Sequence, residues 1–425
     1  MIPAFRRLNG GLEGAQGPVQ PPECGERVSM LLAEIADVGT DRFRGGYARH
    51  GFDRADLQLR AWFTEQAERR GLAVYTDRNG NLWAWWGEPG PGAVATGSHL
   101  DSVPGGGAFD GPLGVVSALA AVDVLRARDF VPARPIAVVV FAEEEGGRFG
   151  VPCLGSRLAT GAIGPDTARG LRDPDGVSLA EAARAAGLNP AHLGRDDAAL
   201  SGLRCFVELH VEQGRQLDLL PERTPVAVAT SILAHGRWRL TFRGQGNHAG
   251  TTAVADRRDP MIPASSTVLA ARRALAGTDA RATVGRLVPT PGGTNVIPSS
   301  VDVWLDARAP STPDTRKLVD EIVAAAREAS AAEGCAVEVR EESYGDAVTF
   351  DAALRDELAG LLGGVPALPT GAGHDAGILA ARVPTAMLFV RNPTGVSHAP
   401  EEHAEPDDCA AGVAALASVL EHLAS

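Results

Sequence analysis

Imidazoles and carboxylates recur along this chain in short polar strings that each follow an apolar run, and their types suit metal ligation. GSHLDS contains His99 and Asp101. Two residues apart in extended chain, they lie on one side, so the carboxylate can accept the second imidazole N–H and fix the tautomer. The alternative is a surface polar pair at a strand end. GGGAFDGPLG puts Asp110 in a glycine-rich turn ahead of a helix. A carboxylate there either caps the turn or helix, or offers one oxygen to each of two cations. In AEEEGGRF the carboxylates of Glu143, Glu144 and Glu145 are consecutive. Their repulsion is costly unless cations neutralise it or the loop is fully solvated, and a metal ligand beside a general base accounts for the cluster. ELHVEQG brings His210, Glu212 and Gln213, and VRNPTGVSHAPEEH brings His398. Singly, each has an ordinary explanation as a packed or surface residue. Together, and without thiolates, they suit a catalytic site for Zn, Mn or Co rather than a structural zinc.

Gathering these side chains requires strands that end side by side. The runs Gly92–Thr96, Pro135–Ala142, Leu203–Leu209 and Pro384–Val390 read as buried parallel strands. Each leads into one of the polar strings at its C-terminal end, the edge at which open α/β sheets bind ligands. Helical patterns at Leu113–Arg128 and Leu179–Ala186 predict an α/β domain with helices on both faces of a mixed sheet. The middle of the chain has another rhythm. Strands at Trp238–Arg243, Ala282–Leu287, Val301–Ala307 and Ala336–Arg340 alternate with helices at Met261–Leu275 and Thr315–Ala332. That βαββαβ order is ferredoxin-like. The expected division is therefore residues 1–228 and 344–425 in one domain and 229–343 inserted as a second. Hinges are expected near Pro221–Pro225 and Glu341–Asp346. Residues 1–27, broken by Gly and Pro and lacking a signal peptide's apolar segment, read as a loose tail.

With 425 residues, 44% of them hydrophobic and 22% charged, the chain has the composition of a globular protein of about two domains. No apolar run approaches the ~20 residues that span a bilayer. A net charge of -13 disfavours nucleic acid, yet local arginines can still receive a small anion. The five cysteines are odd in number, scattered and free of any C-x-x-C pair. This argues against a disulfide framework or thiolate zinc and points to a reducing cytoplasm.

The strings GSHLDSV, GAFDGPLGV, EEEGGRF, ELHVEQG, GNHAGTT, GTNVIP, LDAR, GAGHDA and GVSHAPEE, spread from residue 97 to 402, resemble the M20 metallopeptidase clan. Within it they look like the hydantoinase/carbamoylase subfamily of allantoate amidohydrolases, N-carbamoyl-L-amino acid hydrolases and β-ureidopropionases. The resemblance implies a catalytic domain with two divalent metal ions. His99, Asp110 and His210 would hold one, and Asp110, Glu145 and His398 the other, with Asp110 bridging. It further implies that Glu144 is the general base and that Asp101 orients His99. His210, where peptidases of the clan usually have a carboxylate, points to the carbamoylase branch.

By the same resemblance the inserted module is a lid and dimerisation domain. His248 would polarise the scissile carbonyl in the partner subunit of a homodimer, with Asn295 beside it. Arg308 would hold the substrate carboxylate, and Gln213 and His374 would contact substrate. Ala307 and Ala309 flank Arg308, and Ala253-Val254 follows NHAGTT. These depart from the family's usual residues and bear on pocket shape rather than on metal binding. The activity implied is hydrolysis of the linear ureido C–N bond of allantoate or an N-carbamoyl-L-amino acid, a small anionic substrate. The nearest alternative within the clan is an aminoacylase or deformylase acting on N-acyl or N-formyl amino acids. An inactive binding protein on the same fold would lack a ligand or the base, and none is missing.

Overall fold

The structure, a computed structural model, describes residues 21–425; most of the expected tail thus lies outside the described residues. The stretch from Pro21, expected as tail, instead begins a helix, Pro21–Glu34. Two compact units partition the chain. One runs through Val226 and adds Leu361–Gly363 and Leu388–Ser425; the other is Ala227–Gly360 with Gly364–Met387. The second unit thus takes in residues 344–360 and 364–387 besides the stretch expected as an insertion.

The first unit contributes β1 (Ala73–Thr76), β2 (Leu82–Trp86), β3 (Ala93–His99), β4 (Ile136–Phe141) and β5 (Leu203–Val211) to a large mixed sheet, in the order β1-β2-β4-β3-β5. Every residue of β3 and β4 is buried, so both faces of these strands are covered. β3 is parallel to β4 and β5, whereas β2 runs antiparallel to β4. The helix Pro112–Ala127 is apolar almost all round. It packs on β3 and β5 and against the helices Pro21–Glu34 and Pro406–Ala424, so it has no wet face to keep polar.

The second unit contains β6 (Val226–Ile232), β7 (Ala234–Arg243), β8 (Asn247–His248), β9 (Arg281–Thr290), β10 (Val296–Ile297), β11 (Ser300–Ala309), β12 (Ala336–Gly345), β13 (Val348–Thr349) and β14 (Ala367–Thr370). β6 pairs antiparallel with β13 and parallel with β14. An antiparallel sheet, β12-β7-β11-β9, is backed by the helices Met261–Arg273 and Thr312–Ala332. β7 and β11 alternate buried positions with half-buried or exposed ones, the period of a half-covered sheet. Trp238, Leu240 and Phe242 meet Val301, Val303 and Leu305 and, from the longer helix, Leu318, Ile322 and Ala326. Ser311 caps that helix by accepting the Asp314 N–H. The expected hinge Glu341–Asp346 is strand through Gly345: β12 continues past a register shift at Glu341/Ser343 because β7 has partners for it. A final strand, β15 (Thr385–Val390), is buried throughout and precedes the loop that carries His398.

Candidate metal centre

His99 is the last residue of β3, and His210 lies one residue from the end of β5. β3 runs three residues and β5 two residues further than their apolar runs, so both imidazoles stand on ordered strand rather than on the loops beyond. Asp110 lies in the turn before the helix Pro112–Ala127, where the positive end of the helix dipole favours a carboxylate. The next residue, Gly111, has φ +82°, and a Cβ there would meet His99 ring atoms at 2.4–2.6 Å. Glycine is required both by the turn and by the approach of the imidazole.

The two oxygens of Asp110 face different partners. Oδ1 lies 3.2 Å from His210 Nε2 and 3.6 Å from His99 Nε2. Oδ2 lies 3.3 Å from His398 Nε2, which is 3.5 Å from Glu145 Oε2. Two trios, His99–Asp110–His210 and Asp110–Glu145–His398, each bring their ligand atoms within 4.8 Å of one another. Donors ~2.0–2.2 Å from one cation stand roughly 3–4 Å apart, so nitrogen and oxygen ligands of both trios fit divalent cations. His99 Nδ1 is 3.1 Å from the Asp101 carbonyl and His210 Nδ1 is 2.9 Å from the Val211 carbonyl. Those carbonyls accept Nδ1–H and leave Nε2 as the ligand atom. The expected Asp101 carboxylate is the more distant partner of His99, at 3.5 Å.

The Asp101 carboxylate is aimed at the acidic loop. Its oxygens accept the backbone N–H groups of Glu144 (3.1 Å) and Glu145 (3.0 Å). Glu143 turns away from the centre, with φ +53°, and accepts N–H groups of Gly51, Arg148 and Phe149, each at 2.8 Å. The three-carboxylate cluster is thus divided: backbone donors satisfy Glu143, and Glu144 and Glu145 face the histidines. Glu144 Oε2 is 3.7 Å from His99 Nε2, and its Oε1 accepts the Cys153 thiol at 3.1 Å.

The charges of the centre are strongly coupled. Burial opposes a charge on His99, but Glu144, Asp101 and Asp110 outweigh it and hold its pKa well above the ordinary value. Asp110 is buried too, yet His210, His398 and His99 keep its carboxyl well below the usual range. Asp110, against burial and with help from Glu145, raises His398 to about 9. Burial, then Asp110, pushes Glu145 up to about 7. The carboxylates demand positive charge that cations supply more directly than imidazolium protons.

Gln213, expected at the substrate, donates Nε2–H to Asp110 Oδ2 at 2.6 Å and to Ser397 Oγ at 3.2 Å. Glu402, which the sequence reading passed over although it ends the string containing His398, accepts the N–H groups of Phe109 (2.9 Å) and Asp110 (2.8 Å) on Oε1. It fixes the turn that presents the shared carboxylate. His398 has φ +57°, a left-handed conformation that a non-glycine residue adopts at a cost of ~1–3 kcal/mol.

The other expected site residues belong to the second unit. His248 and Asn295 are exposed and adjacent, since β8 pairs with β10 and the Ala249 N–H donates to the Asn295 carbonyl at 3.0 Å. His248 Nδ1 accepts the N–H groups of Gly250 (3.0 Å) and Thr251 (3.2 Å), which leaves the ring proton on Nε2. Arg308 donates to Asp306 through Nε (2.8 Å) and Nη2 (3.0 Å) and to the Gly371 carbonyl through Nη1 (2.6 Å). His374 is buried just before the short helix Asp375–Leu379.

Two trios of nitrogen and oxygen donors that share one carboxylate form a donor set suited to divalent cations. Residues 95–422 match peptidase family M20/M25/M40, and the chain belongs to that family. It is 36% identical to an N-carbamoyl-L-amino acid amidohydrolase of Geobacillus stearothermophilus, covering 94% of this chain and 98% of the relative. It is 32% identical to an allantoate amidohydrolase of Escherichia coli (strain K12), at 94% and 98% coverage. Among solved structures, a hydantoinase/carbamoylase family amidase from Burkholderia multivorans superimposes with a TM-score of 0.82, at 30% identity and coverage of 94% and 98%.

Proposed function

We propose that this chain is a metal-dependent amidohydrolase that cleaves the linear ureido C–N bond of allantoate or an N-carbamoyl-L-amino acid, releasing ammonia. The observation that carries the reading is the Asp110 carboxylate shared by two nitrogen–oxygen trios, with Glu144 beside it. The amidohydrolase names of the relatives support the substrate class.

His99, Asp110 and His210 would hold one divalent cation and Asp110, Glu145 and His398 a second, both Zn, Mn or Co. Such cations polarise a carbonyl and lower the pKa of water from 15.7 towards ~7. Glu144 takes the proton of the attacking water and passes it to the leaving nitrogen, general base and then general acid. Asp101 holds the Glu144–Glu145 backbone, so that the base and the ligand beside it keep their spacing. His248, its proton on Nε2, is a donor for the oxyanion, a contact whose loss costs ~3–4 kcal/mol in comparable sites. Gln213, Asn295, Arg308 and His374 are assigned to substrate, Arg308 to its carboxylate. The inserted residues 229–343 would serve as lid and dimerisation domain, with His248 reaching the site of the partner subunit in a homodimer. None of the described cysteines, Cys153, Cys205, Cys335 and Cys409, is in a disulfide, and we place the enzyme in the cytoplasm.

The test is ammonia release by metal-loaded protein from allantoate, N-carbamoyl-L-amino acids and β-ureidopropionate. N-formyl counterparts are followed by amine release. Turnover of a ureido compound, lost on chelation and restored by metal, is expected. Amine release from N-formyl substrates alone would overturn the ureido assignment.

A further inference from the structure

The segment facing the acidic loop does more than cover it. Three successive N–H groups, of Cys153, Leu154 and Gly155, donate to the carbonyls of Glu144, Glu143 and Ala142. The two segments therefore run antiparallel in close register. A Cβ on Gly155 would meet the Ala142 backbone at 2.8–2.9 Å, so the approach depends on glycine. Two non-glycine residues of this clamp have positive φ, Glu143 at +53° and Cys153 at +54°. The left-handed turn at Cys153 brings its thiol, 2% exposed, to 3.1 Å from Glu144 Oε1. The other oxygen, Oε2, is the one that lies toward His99.

We propose that Cys153 is a positioning residue for Glu144: its S–H holds Oε1 and leaves Oε2 as the oxygen that takes the proton of the attacking water. The inference rests on the reading of Glu144 as general base. A carboxylate with two equivalent free oxygens rotates about its last torsion, a broad and soft one. A donor on one oxygen, with the other toward His99, removes that freedom, and it does so through a neutral group that adds no charge beside the candidate metal ligands. A thiol is a weak donor, so a hydroxyl in its place should serve as well.

Two measurements test it. In metal-loaded protein, Cys153→Ala should lower kcat by roughly 3- to 10-fold, the worth of one hydrogen bond, with KM, metal content and Tm near those of the parent. Cys153→Ser should recover most of the loss. The second readout needs no turnover. The infrared S–H band of Cys153, identified as the one lost in Cys153→Ser, should move to higher frequency in Glu144→Gln, where the anionic acceptor is gone. Parental kcat in Cys153→Ala, an equal loss in Cys153→Ser, loss of metal in step with activity, or an S–H band unmoved in Glu144→Gln would each overturn the proposal. If Glu144→Gln itself turns over substrate, the base assignment fails, and the infrared band still reports whether the thiol bonds to that side chain.

Discussion

Glu144 and its neighbour Glu145 differ by one position and, on this account, by role. Exchanging Glu144 for Gln removes the proton acceptor but no ligand. Turnover should fall by at least ~10²-fold while metal content by elemental analysis stays at the parental level. Glu145→Gln should lose metal first. Proton linkage belongs to this scale as well. His99, His210 and His398 have raised pKa values in the metal-free centre, and each must be neutral at Nε2 to bind a cation. For His398, raised to about 9, the proton is held across the neutral range and given up only as pH climbs toward that value. Metal affinity should therefore rise with pH over that window and fall as pH drops. Calorimetric titration in buffers of different ionisation enthalpy should show protons released on binding. An affinity flat between pH 6.5 and 9 would contradict the assignment of His398.

At the scale of elements, the site depends on where strands stop and how tightly turns close. Gly111→Ala puts a methyl group against the His99 ring at a backbone angle that disfavours any side chain. Weaker metal binding together with a lower Tm is expected. Ile322, fully buried under the antiparallel sheet of the second unit, should cost ~2–5 kcal/mol when truncated to Ala, read from chemical denaturation. Much of this level was legible in the sequence, because buried parallel strands are written as continuous apolar runs and ligands cluster just past them. His99, Glu145, His210 and His398 could be named as candidate ligands for that reason, and Asp110 from its glycine-rich turn ahead of a helix. The strand ends were not legible, since β3 and β5 continue through the polar residues His99 and His210 once those side chains have partners in the fold. Contacts between distant segments were hidden too. Glu402 reaches the N–H of Asp110 across 292 residues of chain, and no local pattern marks Cys153 as a neighbour of Glu144.

For the whole molecule, the proposed homodimer makes a prediction that neither subunit makes alone. If His248 acts in the partner's site, His248→Ala and Glu144→Gln are each inactive as homodimers. Mixing them under exchange conditions should restore activity, since mixed dimers rebuild one complete site. Failure to complement, with exchange confirmed by mass, would confine His248 to its own subunit. The central claim is that one carboxylate serves two cation sites, and metal stoichiometry tests it most directly. Metal-free protein and its Asp110→Ala variant would be titrated with Zn²⁺ or Mn²⁺ and the bound metal counted. The account predicts two equivalents per chain in the parent and loss of both high-affinity sites in Asp110→Ala. A parent that saturates at one equivalent, or a variant that keeps a site at parental affinity, would contradict it.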